Sequence, residues 1–404
     1  MDHEKLMDAV RNGAAFRRRQ RLQPVGGAGD KVFPPTYPGP GSNDPAQHVF
    51  EDRRVAEEDK PVSCVLIDSV QSQANRLEEA LLLAIQAGEI ELPHVATDIV
   101  FPKEMKDTAE EAGYELVDPG RITSLETPHR VFDAILRDSE KDKTPFNETE
   151  VGKRLQKATM RNATAVLELS PNSLLFGAWN STGTGGGLGA KFQRCVVSEI
   201  IGYGAVVGKR TSSRIDPLGV QKGANIYGTK SEWIHEPRTT KDKPVRPSEV
   251  NHGNIRPDVE DLGVTFEYAE QCAVVTLAGL RHFRFGGDAA RDEAARTYLA
   301  ALGLYALAAN DKAGYSLRSR CDLVADEETG PAPIELIGAN GKPETVSLDN
   351  AKALYAAALD TARQAGFDLN AEPLLLVPQA KLLEIVRGSQ EMAWKGQGTD
   401  DNEE

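Results

Sequence analysis

The residues best suited to chemistry lie between Trp179 and Gly219. The run Trp179-Asn-Ser-Thr-Gly-Thr-Gly-Gly-Gly-Leu-Gly-Ala-Lys-Phe-Gln-Arg194 sets Gly185, Gly186, Gly187 and Gly189 directly before Lys191 and Arg194. Successive glycines let backbone N–H groups converge on an anion, and a helix over Ala190–Ile201 adds positive potential at its start. In that helix Lys191 and Arg194 project on one side, one turn apart. No Walker register fits, because Ala190 separates Gly189 from Lys191. A G-x-G-x-x-A match at Gly185, Gly187 and Ala190 lacks the strand-borne acid that a dinucleotide fold places ~20 residues on. A nucleic-acid backbone is the third source of phosphate, and the next segment favours it. Gly208-Lys-Arg-Thr-Ser-Ser-Arg-Ile-Asp-Pro-Leu-Gly219 lines up Lys209, Arg210 and Arg214 with the hydroxyls of Thr211, Ser212 and Ser213. Cations and hydroxyls in a row follow several phosphates better than they enclose one nucleotide.

A second basic stretch, Arg281-His-Phe-Arg-Phe-Gly-Gly287, interleaves Arg281 and Arg284 with aromatics as a base-stacking platform would. Its plainer reading is a strand whose Phe283 and Phe285 fill the core. Arg318 and Arg320 are placed to join either patch. Candidates for catalysis are poor. His129 opens a helix, Asp216 sits in an Asp-Pro-Leu-Gly turn, His282 has no visible partner, and Glu78-Glu79 falls on an exposed helix face. No catalytic set, metal site or cofactor is expected, and a binding protein is the simpler account.

Those residues need a scaffold. The first ~20 residues read as a helix ending in Arg17, Arg18, Arg19 and Arg21, followed by a Pro/Gly-rich stretch over 23–45. Val62–Ile67 reads as a buried strand, Asp68-Ser69 as a cap, and Leu77, Ala80, Leu81, Ala84 and Ile85 as one face of the helix that follows. A further helix is expected over Thr127–Arg137 and a strand over Ala163–Leu169. A strand or hairpin is expected in Val264–Leu280, and helices over Asp288–Asn310 and Asn350–Ala365. The division is an N-terminal helix and arm (1–60), a core with the Gly-rich loop and basic insertion (61–325), and a C-terminal helical segment with an acidic tail (326–404).

Composition bounds the class. The 404 residues are 40% apolar and 27% charged, with a net charge of −14, so nucleic acid must be met by a local patch. Such a patch exists: 151–256 holds sixteen Lys/Arg against seven Asp/Glu, leaving −23 on the rest. Ion pairing with acidic flanks is the bland explanation. The longest apolar run, Tyr298–Ala309, has 12 residues, short of the ~20 that cross a bilayer. Four scattered cysteines without C-x-x-C spacing exclude a zinc ribbon or disulfide scaffold and suit a cytoplasmic protein.

Several of these stretches closely resemble one family. Leu174-Leu-Phe-Gly-Ala-Trp-Asn-Ser-Thr-Gly183, Gly186–Arg194 and Arg210–Gly219 are similar to the backbone subunit of the CRISPR type I-G (formerly I-U) interference complex, in the Cas-seven branch of the RAMP superfamily. Asp68–Glu78, Pro128–Arg137 and Leu317–Asp322 carry the same resemblance. It implies an α+β fold with an RRM-like (ferredoxin-like) palm, inserted finger and thumb elements and additional helices. It also implies a non-catalytic subunit that polymerises along CRISPR RNA and presents it for pairing with target DNA, alongside other subunits and away from membranes. By analogy, Lys191, Arg194, Lys209, Arg210 and Arg214 become guide-phosphate contacts. A RAMP endoribonuclease using His282 or Asp216, and a nucleotide-cofactor enzyme using the Gly185 loop, are the alternatives.

Overall fold

The computed structural model describes residues 1–39, 41, 44–55, 59–180, 189–229, 232–239, 243–338 and 346–395. The expected binding residues Gly185, Gly186 and Gly187 lie outside them.

The main sheet is built around the segment Ala15–Pro24. Phe16, Arg18, Gln20 and Leu22 are buried while Arg17, Arg19 and Arg21 face outward, and a period of two is that of a strand. The expected helix through Arg21 is therefore corrected: it stops at His3–Asn12. The eight-stranded sheet runs Tyr315–Arg318, Cys321–Ala325, Ala15–Pro24, Tyr268–Thr276, Val196–Tyr203, Val62–Asp68 and Phe50–Arg53, with Glu335–Ile337 also pairing Ala15–Pro24. Neighbours throughout are antiparallel. With Tyr315–Arg318, Glu335–Ile337 and the pair Val62–Asp68 and Phe50–Arg53 set aside, the four strands Ala15–Pro24, Val196–Tyr203, Tyr268–Thr276 and Cys321–Ala325, numbered in chain order, stand in the spatial order fourth, first, third, second.

Helices cover one face. Ser69 caps Val70–Gln86, its hydroxyl accepting from Ser72 N, and Asp288 caps Ala289–Ala313 through Arg291 N. The second of these is buried along most of its length and packs beside Val70–Gln86, Leu348–Gln364 and His3–Asn12. Gly303 lets it lie on the sheet, since a Cβ there would stand 3.3 Å from Val196 and Val275. A smaller five-stranded sheet runs Gly120–Thr123, Val95–Ile99, Leu374–Pro378, Ser139–Lys141 and Thr144–Pro145.

Three expected elements change type. Val196–Tyr203 is a strand, not a helix begun at Ala190: Val196, Ser198 and Ile200 point inward and Val197 outward. Ala163–Leu169 is not a strand but yields a helix over Thr164–Leu169 that buries Ala165, Val166 and Leu167. The Thr127–Arg137 helix is broken, because Asp133 restarts it by accepting from Ile135 N; only a 3₁₀ turn at Arg130–Phe132 and the helix Ala134–Arg137 form.

Between the two central strands Val196–Tyr203 and Tyr268–Thr276, the chain leaves the sheet as an arm. Val206–Val207 pairs Val264–Thr265, and Arg210–Arg214 pairs Ile255–Glu260. Along Ile255–Glu260 every residue is exposed, as are Ile215 and Leu218 beyond Arg214. No helix among the described residues is long and apolar enough to cross a membrane.

Candidate nucleic-acid interface

The loop is carried by a hairpin, not by a helix. Ala178–Trp179 pairs Lys191–Phe192 antiparallel, so the expected one-turn spacing of Lys191 and Arg194 on a helix, and the helix potential behind the glycines, are both corrected. Alternation decides the directions. Phe192 turns inward, stacked on Phe132 with ring centroids 6.1 Å apart. Lys191 turns outward, with its ammonium 4.6 Å from the centre of the half-exposed Trp179 ring. Gly189 is required because a Cβ there would collide with the Asn180 carbonyl.

Beside the hairpin is a cleft of about 380 Å³ lined by His129, Arg130, Gly177, Trp179, Lys191 and Arg194, among others. Its floor is a buried ion pair. Arg130 donates to both Glu78 oxygens at 2.8 and 2.7 Å and to the Gly177 carbonyl at 2.9 Å. Glu78 is thus buried, not on an exposed face; Asn172 donates to it at 2.7 Å. Burial raises the Glu78 pKa, and the hydrogen bonds from Arg130 and Asn172 hold it back. Arg194 donates its Nε to the Phe176 carbonyl at 3.1 Å. Burial lowers the Arg194 pKa, as does the nearby Arg130 charge, while Glu78 opposes them. Two guanidiniums thus share one carboxylate, and the cleft keeps a surplus positive charge suited to an anion.

A second cationic cleft sits on the arm. Its volume is about 480 Å³ and its lining includes Ser213, Arg214, Lys222, His252, Asn254 and Arg256, with no carboxylate among the lining residues. Ile215, Val220, Ile255 and Pro257 supply apolar wall. Asp216 stays out of it as the turn residue, accepting from Leu218 N and Val220 N at 3.0 Å each. His252 and Arg256 are brought to Arg214 by the return strand of the ribbon, a pairing that no linear spacing announces. Arg210 and Ser212 lie on the same strand, opposite Glu260 and Asp258.

The other expected contacts divide. Lys209 is paired with Asp261, and Lys31 donates to the Lys209 carbonyl at 2.5 Å. Arg318 and Arg320 are exposed at the turn between Tyr315–Arg318 and Cys321–Ala325. There the Arg320 guanidinium lies 4.5 Å from the Phe33 ring, which abuts Gly263 at the root of the arm. Arg320 is thereby placed beside the root of the arm. Arg281 and Arg284 do not form a stacking platform: Phe283 and Phe285 are fully buried. Arg281 donates to the Val10 and Gly13 carbonyls at 2.9 and 2.8 Å, and Arg284 pairs with Asp292 at 3.0 Å. Among the described residues no group of three His, Cys, Asp or Glu is placed to hold a metal.

The open sheet face carries residues that the sequence pattern did not single out for binding. Arg21 lies 3.9 Å from the Tyr268 ring centre, and Tyr268 stacks on Tyr203 with centroids 5.0 Å apart. Charge there is compensated: Arg19 meets Glu270 at 3.0 Å, Arg17 meets Glu335 at 3.2 Å, and Arg53 meets Glu199 at 3.0 Å.

Fold and site together define an α+β protein whose cations gather, short of acids, in a hairpin cleft and on an extruded arm. Residues 16–207 match the family model described as CRISPR-associated protein GSU0053 (Cas_GSU0053). A chain of a solved structure titled "CRISPR RNA-guided surveillance complex, pre-nicking" is similar at 13% identity, over 93% of this chain and 99% of that one, with a TM-score of 0.30. No curated protein matches the chain significantly.

Proposed function

We propose that the chain is a non-catalytic backbone subunit of a CRISPR RNA-guided complex of type I-G. Copies of it line up along the guide in the cytoplasm, grip guide phosphates and leave the bases to pair with target DNA. One observation carries the reading: the arm gathers Arg214, Lys222, His252 and Arg256 around a cleft without a lining carboxylate, in a protein of net charge −14. The spatial strand order fourth, first, third, second, with helices between the first and second and between the third and fourth of those strands, supports an RRM-like palm. The arm inserted between its second and third strands is then the finger or thumb. At His282, Nδ1 lies 3.3 Å from the Gln193 amide oxygen. An amide is no general acid or base at neutral pH.

The test is RNA binding against salt. For a single strand the slope of log K against log[salt] is about −0.7 per neutralised phosphate. Replacing Arg214, Lys222 and Arg256 together by Ala is expected to make the slope shallower by about 2. Lys209 is left in place because Asp261 already occupies it. An unchanged slope refutes the assignment of the arm, and discrete cleavage products from repeat RNA refute the non-catalytic role.

A further inference from the structure

The cations of the 151–256 segment are not exhausted by the hairpin and arm. Lys153, Arg154, Lys157 and Arg161 lie near or on the short helix Glu150–Gln156, all exposed. Fold, not sequence, gives two of them a partner. Arg154 and Lys157 line a cleft of about 410 Å³ with Asn162, Thr164, Gly286 and Arg291. Arg291 comes from the first turn of the long buried helix, more than a hundred residues away in sequence.

The charges in this cleft are unevenly satisfied. Arg154 is paired with Glu168. The Arg291 guanidinium lies 4.2 Å from the Phe367 ring centre and reaches the Gly366 carbonyl at 3.4 Å, while its Nε is buried with no hydrogen-bond partner. No lining residue is a carboxylate. Gly286 closes one wall: its φ is +68°, and an added Cβ would press on Asn162 at 3.1 Å. Lys157 and Arg291 thus present surplus positive charge in a concave polar site.

The cleft is also joined to the hairpin. Asn180 follows Trp179, and its amide donates to Gln156 Oε1 at 2.8 Å; Lys157 is the next residue. The start of the Trp179–Lys191 hairpin loop is thus tied to this helix end.

We infer that the phosphate track continues from the Lys191 hairpin across the end of helix Glu150–Gln156 into the Lys157–Arg291 cleft, which binds the phosphodiester backbone of single-stranded nucleic acid. The inference rests on the reading of the chain as a nucleic-acid-binding subunit and extends its footprint to the body of the protein.

The test uses the full chain with fluorescein-labelled oligouridylate and oligothymidylate, each a 30-mer, titrated at several salt concentrations. Lys157→Gln with Arg291→Gln removes two phosphate contacts and is expected to make the slope shallower by about 1.4. Lys157→Gln alone changes only an exposed side chain and is expected to give half of that, so the test survives if the Arg291 change disturbs packing on Phe367. Lys103→Gln, on the exposed helix Lys103–Glu111, is the charge-matched control and leaves the slope unchanged. A loss with either polymer supports the track; loss with the RNA alone identifies the guide, and loss with the DNA alone identifies a target strand. A wild-type slope in both Lys157 variants overturns the inference while leaving the arm assignment standing. A wild-type chain that binds neither polymer overturns the function itself, and this extension with it.

Discussion

Replacing Glu78 by Gln isolates the ion pair beneath the hairpin cleft. Glu78 and Arg130 are both shielded, with side chains 2% and 11% exposed. The carboxylate accepts two bonds from Arg130 and one from Asn172. Gln keeps one acceptor oxygen but turns an NH2 toward a guanidinium, donor against donor. It also removes the negative charge that Arg130 and Arg194 both feel. Removing one partner of a buried pair costs about 3–5 kcal/mol; the retained oxygen places the expected loss near 3 kcal/mol. Arg130 has φ of +53°, a left-handed backbone that costs a non-glycine residue about 1 kcal/mol or more and persists only where its surroundings hold it. Its bond to the Gly177 carbonyl then ties the pair to the start of the hairpin. Urea unfolding of wild type, Glu78→Gln, Arg130→Met and the double variant measures the coupling. The double variant is expected to recover part of the single-site loss, because the unpaired charge is gone. A Glu78→Gln chain within 1 kcal/mol of wild type refutes the claim that this carboxylate holds the cleft together.

Three further outcomes follow from other contacts. Asp138 accepts from Arg137 at 3.0 Å and Lys381 at 2.7 Å, and Arg137 above all depresses its pKa, with burial opposing. Its stabilisation is therefore present above the unfolded carboxyl pKa and lost as pH falls through the lower folded value. Asp138→Asn is expected to cost about 1 kcal/mol at pH 7, and that gap from wild type should narrow in denaturant titrations as pH falls below the ordinary carboxyl range. Gly303→Leu drives a side chain into Val196 and Val275 and is expected to destabilise by about 1–3 kcal/mol or more; a melting temperature equal to wild type argues against the close helix-sheet contact. Asp261→Asn frees Lys209 on the arm and should steepen the salt dependence of RNA binding by about 0.7, whereas no change removes Lys209 from the track.

Much of the scaffold was legible because its signals are local. Ser69 and Asp288 announce helices by capping chemistry, and Leu77, Leu81 and Ala84 announce a face. The errors fall where two periods compete over a short span. Val196-Val-Ser-Glu-Ile-Ile201 alternates as a strand should, yet the glycine run before it suggests a helix start. The alternation of Phe16, Arg18, Gln20 and Leu22 is equally regular, but two of its inward residues are polar. Arg18 is buried because Asp311, Gln20 and Tyr315 accept its hydrogen bonds, partners that only the fold supplies. The site divides in the same way. Arg214 was legible as a local cation, while His252, Arg256 and Arg291 reach their clefts through strand pairing and a distant helix. Phe283 and Phe285 mislead because an Arg-aromatic alternation looks alike whether its rings face solvent or core.

Segregation of charge explains how an acidic protein can present a polyanion track. Coulomb forces between exposed charges fade over about 8–10 Å at physiological salt, so the −23 outside the basic segment acts only where it comes close. Extruding cations on a ribbon moves them off the acidic body, and the acids of its return strand and the turn after it, Asp258, Glu260 and Asp261, sit near its root opposite Lys209–Ser212 rather than in the arm cleft. The same logic sorts the clefts. On the open sheet face each of Arg17, Arg19 and Arg53 has a carboxylate within 3.2 Å, which leaves little for a phosphate to gain. At Arg194, in the arm cleft and at Lys157 and Arg291, the balancing acid is shared or missing from the lining. Binding there exchanges condensed counterions for protein cations without first breaking an ion pair, and that difference, more than the number of arginines, separates a track from a salt-bridged surface.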